Sequence, residues 1–259
     1  MRQEDRLGFI LEKLNQHSSV GVPDLAVELG VSQASVRRDL RLLEDQQLLT
    51  RTHGGAMASG VLYELPMRYR GGQRQEAKRA IARRALELLP ADVGSIGLNG
   101  GSTTTEVARA LMSHGRLRVV TNALNIASEL AVRSQIDLVV CGGSARAESY
   151  ELVGPIAEAT LAGLNLDVAI LGVDGITAKA GLTTHHEVEA QTDRAILNTA
   201  ERVIVVADST KIGRRAFARI SEIAAVSDVV TDSAADPQAV ADLERAGVVV
   251  HQVPLEPAH

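Results

Sequence analysis

In the stretch SIGLNGGSTTTEVARAL, Ser95–Leu111, the hydroxyl residues Ser102, Thr103, Thr104 and Thr105 directly follow the glycine pair Gly100-Gly101. An apolar run gives way there to a helical pattern. Backbone N–H groups converge at such a point and the helix dipole favours negative charge, so the loop suits an anion. Its spacing is neither the GxGxxG of a dinucleotide fold nor the GK[ST] of a P-loop, so no NAD, no ATP and no other cofactor is expected. Two more groups sit where apolar runs end. Asp174 in AILGVDG could bind sugar hydroxyls, and Lys211 in VVADSTKIG could neutralise a phosphate or carboxylate. Near the N-terminus, SVRRDLRLLE sets Ser35, Arg37, Arg38 and Arg41 away from the stripe Val36, Leu40 and Leu43. That helix face could enter a major groove and reach guanine edges or phosphates.

Other chemistries find less support. In THHEVE, His185, His186 and Glu187 are adjacent along one segment and have no second cluster to complete a metal site, so no metal is expected. No Ser/His/Asp nucleophile arrangement is recognisable. The single cysteine, Cys141, rules out an intramolecular disulfide and reads as an inert residue at a strand end. An enzyme acting on a sugar phosphate would need a general base beside an acid or cation, which Asp174, Glu187, Asp208 and Lys211 could supply. No catalytic residue is assigned.

These groups are carried on 259 residues, 45% hydrophobic and 23% charged, with aromatics at 2% and no Trp, so Leu, Val, Ile and Ala must build the core. The net charge of −5 argues against a wholesale nucleic-acid coat but allows one basic face. Residues 1–57 carry seven Lys or Arg against eight Asp or Glu. DNA affinity must therefore come from clustering on the arginine helix, helped by Arg51 and by Arg68, Arg70 and Arg74 further on. No run is long enough to cross a bilayer and MRQEDRLGFI lacks a signal-peptide core, so a cytoplasmic protein with no membrane contact is expected.

The elements that must position these groups can be read from periodicity. Leu7, Ile10, Leu11 and Leu14 mark an amphipathic helix. VPDLAVELG gives a short second helix, with Pro23 in its first turn and Gly30 at its end, and Ser32 caps the third. A helix-turn-helix results. Leu48–Thr52, ending at Gly54-Gly55, suits a wing. Residues 1–57 form this domain, 58–75 read as a linker, and 76–259 form the second domain. A long helix over Glu76–Leu89 opens the second domain. The strand-like runs SIGL, LRVVT, IDLVVC, DVAILGV, RVIVVAD, DVVTD and VVVHQV then alternate with helical stretches. Strands so uniformly apolar are buried on both faces, so an open, mostly parallel α/β sheet is expected.

VPDLAVELGVSQASVRRDLRLLE followed by LLTRTHGGA closely resembles the DeoR family of bacterial sugar-responsive repressors. The resemblance continues through NGGSTTTEVA, VVTNALNIA, CGGSARAESYELVGP, AILGVDGITAKAGLTT and VVADSTKIGRRAFARI, and so covers nearly the whole chain. It implies a winged helix-turn-helix and a sensor domain similar to sugar-phosphate isomerases, with a sugar-phosphate pocket at the carboxyl ends of the strands. Ser32 and Gln33 thereby join the DNA-contact candidates, and Asn99, Asn122, Gly143 and Glu151 join the effector candidates. Where the family has a glycine after the recognition helix, this chain has Gln47, so a slightly different helix end is expected. The whole points to a DNA-binding repressor of a carbohydrate operon, controlled by a phosphorylated sugar and acting as a homo-oligomer on repeated half-sites. The alternative is a sugar-phosphate isomerase or deaminase with an appended DNA-binding domain.

Overall fold

A computed structural model describes residues 2–58, 66–70, 72 and 74–255. The chain divides into two compact units, Met1–Gln73 and Arg74–His259.

In the first unit, α1 (Gln3–His17), α2 (Val22–Leu29) and α3 (Gln33–Asp45) surround one apolar cluster built on Leu7, Ile10, Leu11, Leu25, Val36, Leu40 and Leu43. A small antiparallel sheet, β1 (Ser19–Gly21), β2 (Leu49–Arg51) and β3 (Gly55–Ala58), closes it in the order β1-β3-β2. The expected wing is β2 with β3. Its third strand, β1, is too short to leave a periodic signal. Gly55 has to be glycine because a Cβ there would lie 1.8 Å from the Val20 carbonyl oxygen. The end of α3 departs from expectation. Gln47 adopts φ 60°, its N–H donates to the Glu44 carbonyl, and the Leu48 N–H donates to the Leu43 carbonyl. This is the paired hydrogen-bond stop that normally recruits glycine, here made by glutamine.

The stretch 58–75, expected as a linker, holds regular structure at two places. Ala58 belongs to β3, and Met67–Arg70 forms a short helix, α4, against α1. Tyr69 of α4 is 4% exposed within the first unit's core, and its hydroxyl donates to Gln46. Residues 59–65, 71 and 73 of that stretch lie outside the described residues.

The second unit begins with α5 (Gln75–Glu87), followed by β4 (Ser95–Leu98), α6 (Ser102–Leu111), β5 (Leu117–Thr121), α7 (Leu124–Leu130) and β6 (Ile136–Val140). A hairpin of β7 (Ser144–Arg146) and β8 (Glu151–Val153) leads to α8 (Pro155–Leu161) and β9 (Leu166–Leu171). Next come β10 (Gly175–Thr177), β11 (Gly181–Thr184), α9 (Glu187–Asn198) and β12 (Ala200–Val206). The chain then adds β13 (Ala218–Ser221), β14 (Asp228–Asp232), α10 (Pro237–Arg245) and β15 (Val249–Val253). Each of the seven expected apolar runs is a strand of one parallel sheet, ordered β15-β14-β12-β9-β4-β5-β6. Two clusters of buried aliphatic side chains cover its faces. A second, antiparallel sheet, β10-β11-β13, flanks it.

That strand order has a functional consequence. From β4 the chain moves one way through β5 and β6. It returns to the other side of β4 with β9 and continues outward through β12, β14 and β15. The order therefore reverses between β4 and β9. Open α/β sheets bind ligands outside the carboxyl ends of their strands at such a switch point.

Candidate DNA-reading helix and effector site

On α3, Ser32 caps the helix, its hydroxyl accepting the Ser35 N–H at 3.2 Å. Ser32, Gln33, Arg37, Arg38 and Arg41 are exposed and Ser35 is half-buried. Arg37 donates to Gln33 at 3.3 Å and Arg38 to Ser35 at 3.5 Å, weak contacts that leave both guanidinium charges uncompensated by any described carboxylate. Arg51 differs. Its Nε donates to Glu44 at 2.6 Å and its backbone N–H to the same carboxylate at 3.0 Å, holding the Glu44 carboxyl below its usual range. The wing arginine thus spends its charge within the domain.

The helix is held by a pair that the sequence analysis did not single out. Asp39, 1% exposed, accepts from Arg6 Nε at 2.8 Å and Nη2 at 3.2 Å, and from Gln3 Nε2 at 3.2 Å. A two-pronged guanidinium–carboxylate contact fixes orientation as well as distance. It ties α3 to α1 and sets the direction in which the arginines project.

In the second unit, the Gly100-Gly101 loop lies at the switch point. Asn99 is 2% exposed and laces β4 to β9: its Nδ2 donates to the Gly172 carbonyl at 3.0 Å and its Oδ1 accepts the Gly172 N–H at 2.8 Å. Gly101 has φ 137° and ψ 157°, a backbone conformation confined to glycine. Its carbonyl accepts the Thr104 hydroxyl at 3.0 Å and the Thr105 hydroxyl at 2.7 Å, and Thr105 also accepts from Asn125 at 2.8 Å. These two hydroxyls therefore brace the loop. Ser102 and Thr103 make no side-chain hydrogen bond to a described residue, and no side chain caps α6. The first-turn donors that could meet an anion are thus the N–H groups of Ser102 to Thr104 and the Ser102 and Thr103 hydroxyls.

The remaining candidates fall into two groups. Glu151, on β8, is 3% exposed and accepts the Gly100 N–H from beneath the loop. Burial, then the neighbouring Asp193 and Glu189, push its carboxyl well above the usual range. Burial and Glu189 likewise raise Asp193, against a hydrogen bond from Asn99. Asn122 is wholly buried, donating to the Leu152 carbonyl at 3.3 Å while its Oδ1 has no described partner. Gly143 leads into the β7–β8 hairpin. These residues underpin the loop. The second group lies after β9 and β12. The Lys211 ammonium is 3.4 Å from Asp174, which also accepts the Thr184 hydroxyl at 3.1 Å and has the His185 ring 3.9 Å away.

Sequence reasoning missed Glu189, Asp193 and Arg146. Glu189 is 3% exposed and receives Arg146 Nη1 at 2.9 Å, so one guanidinium serves the buried carboxyl group cluster. Glu189 and Asp193 are four residues apart on α9, on its buried face with Ala190 and Ile196. That spacing is the signal that could have found them. Two other groups have structural duties. His186 caps α9 by accepting the Val188 N–H at 3.2 Å, and Asp208 caps the turn before Lys211. Cys141 is 1% exposed, and burial pushes its thiol up to about 11, as an inert strand-end residue requires.

Residues 73–233 match the family described as the DeoR C terminal sensor domain, and residues 6–59 match the DeoR-like helix-turn-helix domain. The chain belongs to the DeoR family. Among similar DeoR-family proteins, the HTH-type transcriptional regulator GlpR of Haloferax volcanii is 36% identical over 96% of this chain and 98% of its own length. The glycerol-3-phosphate regulon repressor of Escherichia coli K12 is 33% identical over 90% and 92%. The HTH-type transcriptional repressor GlcR of Bacillus subtilis is 32% identical over 96% and 95%. A partial likeness of shape exists to ribose 5-phosphate isomerase A of Methanocaldococcus jannaschii, at 19% identity over 54% of this chain and 55% of that one, with TM-score 0.40. This DeoR-family protein is a DNA-binding transcriptional regulator. Its full-length relatives are regulators, so the enzyme alternative falls away.

Proposed function

We propose that this regulator represses a carbohydrate operon and is controlled by a phosphorylated sugar or a related phosphate ester. Repression and phosphate-linked metabolism are named for relatives, including the glycerol-3-phosphate regulon repressor. The observation that carries the proposal is the uncapped start of α6 at the β4/β9 switch point, where the Ser102 and Thr103 hydroxyls make no side-chain hydrogen bond to a described residue. Lys211, paired with Asp174 at 3.4 Å, offers an ammonium group to the phosphate, and Asp174 reads hydroxyls. Thr104, Thr105, Asn99, Asn122, Gly143 and Glu151 act by holding the loop in place. In the cytoplasm, Ser32, Gln33, Ser35, Arg37, Arg38 and Arg41 meet the operator, two or more copies reading repeated half-sites. An effector that binds the DNA-incompetent arrangement more tightly shifts the population away from the operator.

Calorimetry against hexose, pentose and triose phosphates, each beside its unphosphorylated parent, tests the reading. Charge-assisted hydrogen bonds are worth roughly 1.5–3 kcal/mol each, so an ester held by two or more should bind at least a hundredfold more tightly than its parent. Ser102→Ala with Thr103→Ala should weaken the ester and leave effector-free operator affinity unchanged. Equal affinity for an ester and its parent overturns the phosphate reading.

A further inference from the structure

The start of the second unit carries a feature that neither DNA reading nor phosphate binding uses. Arg74 is the first residue of that unit and immediately precedes α5. It adopts φ 48° and ψ 36°, the left-handed region that a residue with a Cβ enters at a cost. Such a conformation persists where the surroundings over-determine it. Here the guanidinium does so: Nη2 donates to the Ser209 hydroxyl at 2.7 Å and to Asp232 at 3.1 Å. Asp232 is 0% exposed, and its other carboxylate oxygen accepts the Ser209 N–H at 2.7 Å. Arg74, expected from the sequence to support DNA affinity, thus spends its charge inside the second unit.

The choice of Ser209 as anchor links Arg74 to the effector candidates. Ser209 opens the single 3-10 turn, Ser209–Lys211, that ends in Lys211. The chain enters this turn from β12, and Asp232 ends β14. Helix α5 packs against both strands and along α6, where Arg79 lies 3.5 Å from the buried Glu106. The helix that follows Arg74 therefore touches the elements that bring the phosphate loop and Lys211 to the switch point. Coupling between two sites needs an element with two arrangements that both sites bias. Arg74 supplies one. With the anchor made it is held left-handed; with the anchor broken it can return to an ordinary conformation and redirect the chain ahead of α5.

We propose that Arg74 is the positioning residue through which the effector sets operator affinity. Drawing Lys211 from Asp174 onto a phosphate shifts the Ser209–Lys211 turn and breaks the Arg74 anchor. The role rests on the reading of Lys211 as a phosphate-ester ligand and adds the route by which that ligand acts.

Operator affinity by fluorescence anisotropy and ester affinity by calorimetry, each measured on the full chain with and without the other ligand, test it. The probes are glycerol 3-phosphate and a panel of hexose, pentose and triose phosphates, with DNA from the promoter regions flanking the protein's own gene. In the wild type one ester should change operator affinity about 5- to 150-fold. Arg74→Gly permits the same backbone without the guanidinium, and Ser209→Ala removes its hydroxyl acceptor. Each variant should melt cooperatively and still bind ester and operator, with the change in operator affinity cut to below about threefold. A merely structural role would move the melting temperature and leave that factor intact. Folded variants that couple like wild type overturn the proposal while the phosphate reading stands. A wild-type protein that binds no ester overturns both at once. An Arg74→Gly protein that keeps the wild-type factor but flattens the salt dependence of operator binding would assign Arg74 to DNA phosphates, and so also overturn it.

Discussion

Arg6 and Asp39 should respond very differently to removal, and the asymmetry follows from their exposure. Their side chains are 17% and 1% exposed, joined by contacts of 2.8 and 3.2 Å. Arg6→Ala strands a carboxylate that water cannot reach, and breaking a buried pair in this way costs about 3–5 kcal/mol. Asp39→Ala removes the buried charge itself and leaves a guanidinium with an edge already in solvent. Its cost is the lost charge-assisted bonding, about 2 kcal/mol. Replacing both together, as Arg6→Met with Asp39→Leu, should cost less than Arg6→Ala alone, because no ion is left behind. Hydrogen exchange of the α3 amides in the full chain reads this directly, since exchange through local opening reports the stability of that helix. Arg6→Ala should speed the slowest α3 amides more than about a hundredfold, and Asp39→Ala clearly less. Equal effects, or a larger effect for Asp39→Ala, would refute the account of how α3 is held.

Gln47→Gly should stabilise the end of α3 by about 1 kcal/mol by removing a left-handed non-glycine residue, seen as slower exchange at Leu43 to Leu48. Gly101→Ala forces a side chain into a conformation confined to glycine at about 1–3 kcal/mol, so phosphate-ester binding should be lost in calorimetry while operator binding persists. The folded-state Glu151 carboxyl lies well above its ordinary 4.5, so the native state holds the proton more tightly than the unfolded chain does. Its contribution to stability is then full below about pH 4.5 and is lost as pH rises through the folded value. Urea unfolding of Glu151→Gln, which mimics the protonated form, should show a shallower fall in stability with rising pH than wild type. Arg37→Ala and Arg38→Ala should weaken operator binding by about 1–3 kcal/mol where a base contact is lost, and flatten the salt dependence where a phosphate contact is lost, with the fold unchanged by circular dichroism.

The legible parts of the fold were those with long apolar signals. RVIVVAD and DVAILGV could only be buried strands, and Val36, Leu40 and Leu43 fix α3. The β7–β8 hairpin was not legible, because SAR and ELV are three residues each and half polar. Sheet order was not legible either: nothing in SIGL says that it pairs with β9, seventy residues later, rather than only with β5. Asp39 left a trace, since it falls three residues after Val36 on the apolar face, where a charge needs a partner. The NGGSTTT loop announced itself through glycine and hydroxyl content. The sequence could not say that Thr104 and Thr105 turn back to the Gly101 carbonyl, which depends on a φ that only coordinates reveal.

The central claim is that a phosphate ester at the α6 loop and DNA at α3 bias one equilibrium. Fluorescence anisotropy with DNA from the promoter regions flanking the protein's own gene tests it, titrated with each phosphate ester and its parent sugar or alcohol. One ester should change operator affinity about 5- to 150-fold, the usual range of allosteric coupling, and the DNA should change that ester's affinity by the same factor. Its unphosphorylated parent should do nothing, and Ser102→Ala with Thr103→Ala should blunt the response. An operator affinity that no phosphate ester moves, or that the parent compound moves equally, would contradict the account.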